Sequence, residues 1–183
     1  STAGLRVGTA AQNRVIFFGV DNADGPTADL RVRQAMNIAI NREAIKKVVM
    51  REQSDPTGVI MPPFVNGWTT ALNEYPAHDL DAAKALMADA GYADGFDITL
   101  NCPNDRYIND EAICQAAVGM MAQIGIKVRL DARPKAQHFP LINKLETDFY
   151  MLGWGVPTYD SEYIFNFLMH SKGEKYGSWN GTR

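Results

Sequence analysis

FDITLNCPNDRYINDEAICQAAVGMMAQIGIKVRL, residues 96–130, decides the fold. Residues 96–102 (FDITLNC) alternate apolar and polar side chains, the period of a strand with one buried face. Asn109, Asp110 and Glu111 then open a helix with Ile113, Ala117, Met120, Met121 and Ile124 on one side. Gly125 stops that helix, and residues 126–130 form the next strand. Strand, helix and strand in this order predict a right-handed βαβ unit with parallel strands, hence an α/β protein. The loop after the first strand carries Asn104, Asp105 and Arg106. It lies on the carboxyl side of the sheet, where α/β proteins place their ligands. Arg106 could pair with an anion there, though a lone arginine is more often a solvated surface charge.

Upstream, RVIFFGV (14–20) is β-branched and aromatic, a strand composition. Asp29 is placed to cap a helix whose apolar face is Val32, Ala35, Met36, Ala39 and Ile40. Asn41 caps a second, shorter helix with Ile45, Val48 and Val49 as its stripe. Residues 51–78 contain four prolines and two glycines and read as one long irregular excursion around Trp68. Asp79 and Asp81 then stand where a helix dipole favours negative charge, so they are read as caps of a helix and not as a catalytic pair. Its stripe is Leu80, Ala83, Leu86, Met87 and Ala90, and Gly91 ends it.

Downstream, residues 136–145 read as a helix with Pro140 in its first turns. Residues 149–154 (FYMLGW) form a buried strand that leaves the sheet abruptly in Gly153-Trp154-Gly155-Val156-Pro157. Two readings of Trp154 stand together: a flat ring offered to a ligand at a strand's carboxyl end, or a plug for the core edge. Residues 161–169 have helical spacing, and the polar tail reaches Trp179, Asn180 and Gly181 without a closing element.

With 183 residues the chain is long enough for one domain with a sizeable core. The net charge of −3 and the lack of a basic run argue against nucleic acid as a partner. No apolar stretch reaches the roughly 18 residues that span a bilayer. Ser1-Thr2-Ala3-Gly4 lacks the basic start and apolar centre of a secretory leader, as expected of a cytoplasmic protein or of a chain whose natural start is missing. Cys102 ends a strand and Cys114 lies early in the following helix. Such elements pack face to face, so a disulfide is geometrically possible, and two buried thiols are equally so. His78, His138 and His170 stand apart from one another, without the spacing of a metal site. No nucleophile elbow or phosphate loop is present, which favours binding over catalysis.

Four segments taken in order, DLRVRQAMNIAINREAI (29–45), YPAHDLDAAKALMADAGYADGFDITL (75–100), GIKVRL (125–130) and FYMLGWGVPTYDSEYIFNFL (149–168), resemble the extracellular solute-binding proteins of family 5. These are the oligopeptide- and dipeptide-binding-like components of ABC importers. The resemblance covers roughly residues 14–183. It implies a periplasmic or lipid-anchored receptor that closes two lobes around a solute and passes it to a membrane permease, with no cofactor. It implies a three-layer lobe of the periplasmic binding protein type II kind, a mixed, mostly parallel sheet flanked by helices. Members are much longer than 183 residues, so residues 14–183 would be the C-terminal lobe, residues 1–13 an interlobe connector, and the N-terminal lobe a missing partner. In this family the Gly-Trp loop lines the interlobe cleft, which assigns Trp154, Gly155, Tyr159 and Asp160 to ligand binding, joined by Arg106, Asn104 and Trp68. In the peptide binders an acidic residue soon after the Trp meets the peptide's ammonium group. The aligned position here is Pro157, and Asp160 lies three residues further on. Other members bind opines, glycosides, nickel chelates, haem or glutathione, so the solute class stays open. Two other roles stay open beside import: a sensory or chaperone receptor of the same fold, and an enzyme whose site needs another domain.

Overall fold

The computed structural model describes residues 4, 6, 8, 10–177 and 180. Leu5 and Val7 of the expected connector, and Trp179 and Gly181 of the tail, lie outside the described residues. Four strands form one sheet: β1 (Arg14–Val20), β2 (Phe96–Pro103), β3 (Ile126–Arg133) and β4 (Phe149–Gly155), in the order β1-β4-β2-β3. β2 runs parallel to both β3 and β4, and β1 runs antiparallel to β4. The sheet is therefore mixed and mostly parallel, and the βαβ unit read from residues 96–130 is present as β2, α4 (Asp110–Ala122) and β3.

The helices start where their caps place them. The Asp29 carboxylate accepts the Arg31 N–H ahead of α1 (Leu30–Ala39). Asn41 accepts from Ala44 ahead of α2 (Arg42–Ala44), and Asp79 from Ala82 ahead of α3 (Leu80–Asp89). Each bond satisfies one of the amides that a first turn leaves orphaned. α1 packs on α3, and α1 and α4 together cover one face of the sheet. Val32, Ala35 and Ala39 of α1 and Cys114, Ala117 and Met121 of α4 meet Leu100, Cys102, Ile126, Phe149 and Met151 there, all fully or nearly fully buried. The other face carries α5 (Lys135–Asn143) and the turns of 162–169. Ile142 and Leu168 share a hollow there with Phe17, Tyr150 and Leu152.

Three expectations need correction. Residues 42–49 are not one helix: α2 is a single turn that widens into a π-turn, Ile45–Val49, closed by Met50 N–H on the Ile45 carbonyl at 2.9 Å. The wider winding rotates Val48 out of the apolar stripe, and it is 73% exposed. Residues 161–169 divide in the same way, into α6 (Glu162–Ile164) and the π-turn Phe165–Met169. Pro140 lies inside α5, beyond its first turn, where its ring removes one bond of the helix ladder. Residues 51–78 hold no regular helix or strand, as their proline content indicated.

Cys102 and Cys114 form a disulfide, both sulfurs wholly buried. It ties the carboxyl end of β2 to α4 across 12 residues of sequence. Closing a loop of that size in the unfolded chain is worth about 3 kcal/mol. Replacing both cysteines by alanine, or adding dithiothreitol to the native protein, is expected to lower unfolding free energy by that order. A urea midpoint that stays put in both arms would refute the assignment.

Candidate functional site

β4 is held by β1 along all seven of its residues but by β2 at only two, Leu100↔Phe149 and Asn101↔Tyr150. The crossovers explain the site of the parting. α4 carries the chain from β2 outward to β3, and α5 carries it back past β2 to β4. The two connections leave in opposite directions, so the β2–β4 junction is the topological switch point of the sheet. The carboxyl ends of strands separate there and leave a crevice. The loop after β2 and the loop after β4, which hold most of the expected site residues, edge that crevice.

The β2 side is a preorganised loop. Asp110 is buried and serves its own backbone: Oδ2 accepts from Arg106 N and Tyr107 N, each at 2.9 Å, and Oδ1 accepts from Glu111 N at 3.0 Å. Asn104 and Arg106 are exposed above this turn, and the Asn104 amide extends the sheet by donating to the Arg133 carbonyl. Asp105 is used structurally, accepting the first amide of α5 from Lys135 at 2.6 Å. The Arg106 guanidinium lies 5.5 Å from the centroid of the Tyr107 ring, and that of Arg14 lies 5.7 Å from the same ring. Arg14 comes from β1, which runs antiparallel and so begins opposite Gly155. Neither guanidinium has a carboxylate partner among the described residues, where the ion pairs are Arg31–Asp29, Lys46–Asp55 and Arg133–Asp131. Burial pushes the Tyr107 phenol above its usual range, so it remains a neutral hydroxyl at physiological pH.

The β4 side is aromatic. Trp154 is half-buried, 5.7 Å from the Tyr163 ring and 6.2 Å from Phe167. It packs with Trp68 against a small second core of Met61, Val65, Val156 and Ile164. The indole thus forms one wall of this aromatic cluster without being sealed inside it. The Trp68 Nε1–H is buried with no acceptor among the described residues. Gly155 is half-buried, and a Cβ there would sit 3.0 Å from the Asn13 carbonyl. Tyr159 is 55% exposed, in the left-handed backbone region at φ 54°, with its ring 5.9 Å from Phe64.

Asp160 is engaged internally. Its Oδ2 accepts from Asn66 Nδ2 at 2.8 Å and its Oδ1 from Glu162 N at 2.9 Å. The Asn66 bond, chiefly, holds its carboxyl below the usual aspartate value. A backbone bridge between Asn66 and Asp160 strengthens the link, and the irregular 51–78 segment is thereby pinned to the loop after β4. The structure therefore gathers Trp154 with Trp68, Tyr159 with Asp160, and Arg106 with Asn104. Arg14, Tyr107 and Phe64 join them unannounced by the sequence. Arg14 needed the β1–β4 register, and Phe64 needed the Asn66 bridge, to be found. Among the described residues no three His, Cys, Asp or Glu side chains gather as a metal-binding group, and no helix is long and apolar enough to cross a membrane.

Rings, a neutral hydroxyl and two guanidiniums without a described carboxylate partner thus stand at the strand ends where α/β folds place their ligands. The chain belongs to the bacterial extracellular solute-binding proteins, family 5 (Middle), whose model matches residues 1–176. It is 30% identical over 161 residues to the glutathione-binding protein GsiB of Salmonella choleraesuis (strain SC-B67), covering 85% of this chain and 31% of that protein. It is 27% identical over 161 residues to the dipeptide-binding protein of Escherichia coli (strain K12), covering 84% and 30%. Among solved structures, the PBP AgaA of A.tumefacien R10 in complex with agropinic acid superposes with TM-score 0.78 at 27% identity, over 91% of this chain and 34% of that one. The dipeptide binding protein of Pseudoalteromonas sp. SM9913 in complex with Met-Leu shares the fold, with TM-score 0.77 at 24% identity over 83% and 30%. The chain spans about 31% of the length of the curated relatives it matches.

His138 of α5 is buried and meets the Met151 carbonyl through Nε2 at 2.9 Å, so the neutral ring carries its proton on Nε2. Burial, opposed by that bond and by Asp110 and Asp131, pushes its pKa below the ordinary value. The unfolded chain therefore takes up this proton first. Stability is full above about pH 6.5 and falls as the pH drops from there towards the lower folded value, with a slope of at most about 1.4 kcal/mol per pH unit. Urea titrations of wild type and His138→Gln across this window should show a steeper acid loss in the wild type. Equal slopes would show that His138 is not the group responsible.

Proposed function

We propose that this chain is one lobe of the substrate-binding component of an ABC importer, which captures a peptide or other small solute in an interlobe cleft and delivers it to the membrane permease. The observation that carries the reading is the rim at the β2–β4 switch point. It carries Arg14 and Arg106 against the Tyr107 ring on one face of β4 and half-buried Trp154 on the other, with exposed Tyr159 on the loop beyond. In this reading residues 1–13 connect the lobes, residues 14–183 form the C-terminal lobe, and the rest of a longer protein supplies the opposing jaw. Contacts made by the solute to both jaws favour the closed arrangement over the open one.

Trp154 covers the solute, the Tyr159 hydroxyl bonds it, and the two guanidiniums take an anionic group such as a carboxylate. Asn104 and Gly155 edge the same cleft, with Trp68 supporting Trp154. Asp160, held by Asn66, shapes the loop, and the ammonium of a peptide would have to be met elsewhere. The buried disulfide supports an oxidising, periplasmic setting.

Calorimetric titration of the two-lobe protein with glutathione and with Met-Leu is expected to show binding of at least one. The 183-residue lobe alone should bind it about 100-fold or more weakly, having half of the contacts. Sub-micromolar affinity of the lobe alone would end the clamp reading. Arg106→Ala and Arg14→Ala should each weaken a carboxylate-bearing solute about tenfold while leaving the melting temperature within a degree or so, since neither side chain is part of the core.

A further inference from the structure

After it parts from β2, β4 still has backbone groups turned towards the gap, and two side chains take them. His138 binds the Met151 carbonyl. Two residues along, the Tyr107 hydroxyl accepts the Gly153 N–H at 2.8 Å and lies 3.4 Å from the Gly153 carbonyl. The slot exists because residue 153 is glycine. A Cβ there would fall 2.5 Å from Ile16 Cδ1 and 2.7 to 2.8 Å from the Tyr107 ring. Tyr107 is itself fixed from below, by the bond of its amide to buried Asp110 and by the disulfide that ties the end of β2 to α4 on either side of its loop. Its ring is also the surface against which Arg14 and Arg106 lie.

We infer that Tyr107 is a positioning residue for the binding rim. Its hydroxyl fixes the height of the Gly153-Trp154-Gly155 strand end, and its ring keeps the two guanidiniums beside that end. The inference rests on the solute-binding reading above, and concerns how the rim keeps its shape between binding events. A tyrosine is required at both ends of the side chain. Phenylalanine would keep the cation–π surface and strand the Gly153 N–H without an acceptor. Leucine would lose both.

The test uses the two-lobe protein, with hydrogen–deuterium exchange read on peptides covering β4 and the loop to residue 160, without ligand. Tyr107→Phe should speed exchange there about tenfold, the equivalent of one lost hydrogen bond, and leave α1, α3 and β3 unchanged. Affinity for glutathione or Met-Leu, measured well below the melting temperature, should fall about tenfold in Tyr107→Phe and further in Tyr107→Leu. A purely structural tyrosine would lower the melting temperature and leave the affinity of the folded protein alone. Gly153→Ala should cost less in a Tyr107→Leu background than in the wild type, because the colliding ring is gone. Unchanged exchange over 149–160 in Tyr107→Phe overturns the inference, even where the wild type binds neither probe. That last result would count against the choice of solute while the exchange data still decide the role of Tyr107. Should Tyr107→Leu fail to fold, the phenylalanine variant carries both measurements.

Discussion

β2 grips β4 for two residues and then lets go, and the rest of the molecule is arranged around that release. A parallel strand that loses its neighbour exposes N–H and C=O groups that cannot be left unpaired in a protein interior. Continuing the ladder would have closed the crevice. Here side chains replace the missing strand: His138 from the helix on one side, Tyr107 from the loop on the other. Both satisfy the backbone without filling the space that a strand would occupy. The glycine at 153 follows from this, since any side chain would collide with the hydroxyl's own ring.

The same release explains why the loop after β2 is so heavily anchored. A rim that is not held by sheet pairing must be held by something else. Asp110 spends both carboxylate oxygens on backbone amides, Asn109 reaches across to the Val49 carbonyl at 3.1 Å, and the disulfide fixes the strand end just before them. Asn109 adopts φ 56° to make the turn, a conformation that asparagine tolerates better than most residues. On the opposite bank, the 51–78 segment has no regular structure of its own and is fixed by Asn66 and Asp160. Asp160, expected from the sequence as a ligand contact, thus also holds its own loop.

The parts of this architecture that depend on local chemistry were legible from the sequence. The caps at Asp29, Asn41 and Asp79 and the strands each follow from patterns within a dozen or so residues, and the βαβ unit from three such patterns in succession. The parts that depend on register were not. Arg14 and Gly155 are 141 positions apart and meet only because β1 runs antiparallel to β4, which no local pattern announces. Tyr107 looks like an ordinary loop tyrosine until Gly153 is placed beside it. The π-turns after Ala44 and Ile164 escaped for another reason: helical spacing over eight or nine residues does not distinguish four-residue from five-residue winding.

Net charge is a poor guide to the site. The chain carries −3 overall, which taken alone suggests a preference for cationic solutes. At physiological ionic strength, however, exposed charges more than about 8 Å apart are largely screened from one another. The potential at the rim is set by the groups within that range. Two guanidiniums share one aromatic ring there, and acidic side chains of the two flanking loops and of the start of α4 are engaged by their own surroundings: Asp110 by three amides, Asp105 by α5 and Asp160 by Asn66. A carboxylate that accepts hydrogen bonds from its own backbone keeps its charge but offers fewer lone pairs to a visitor. The acidic residues of this rim therefore shape it, and its two guanidiniums have no carboxylate partner among the described residues.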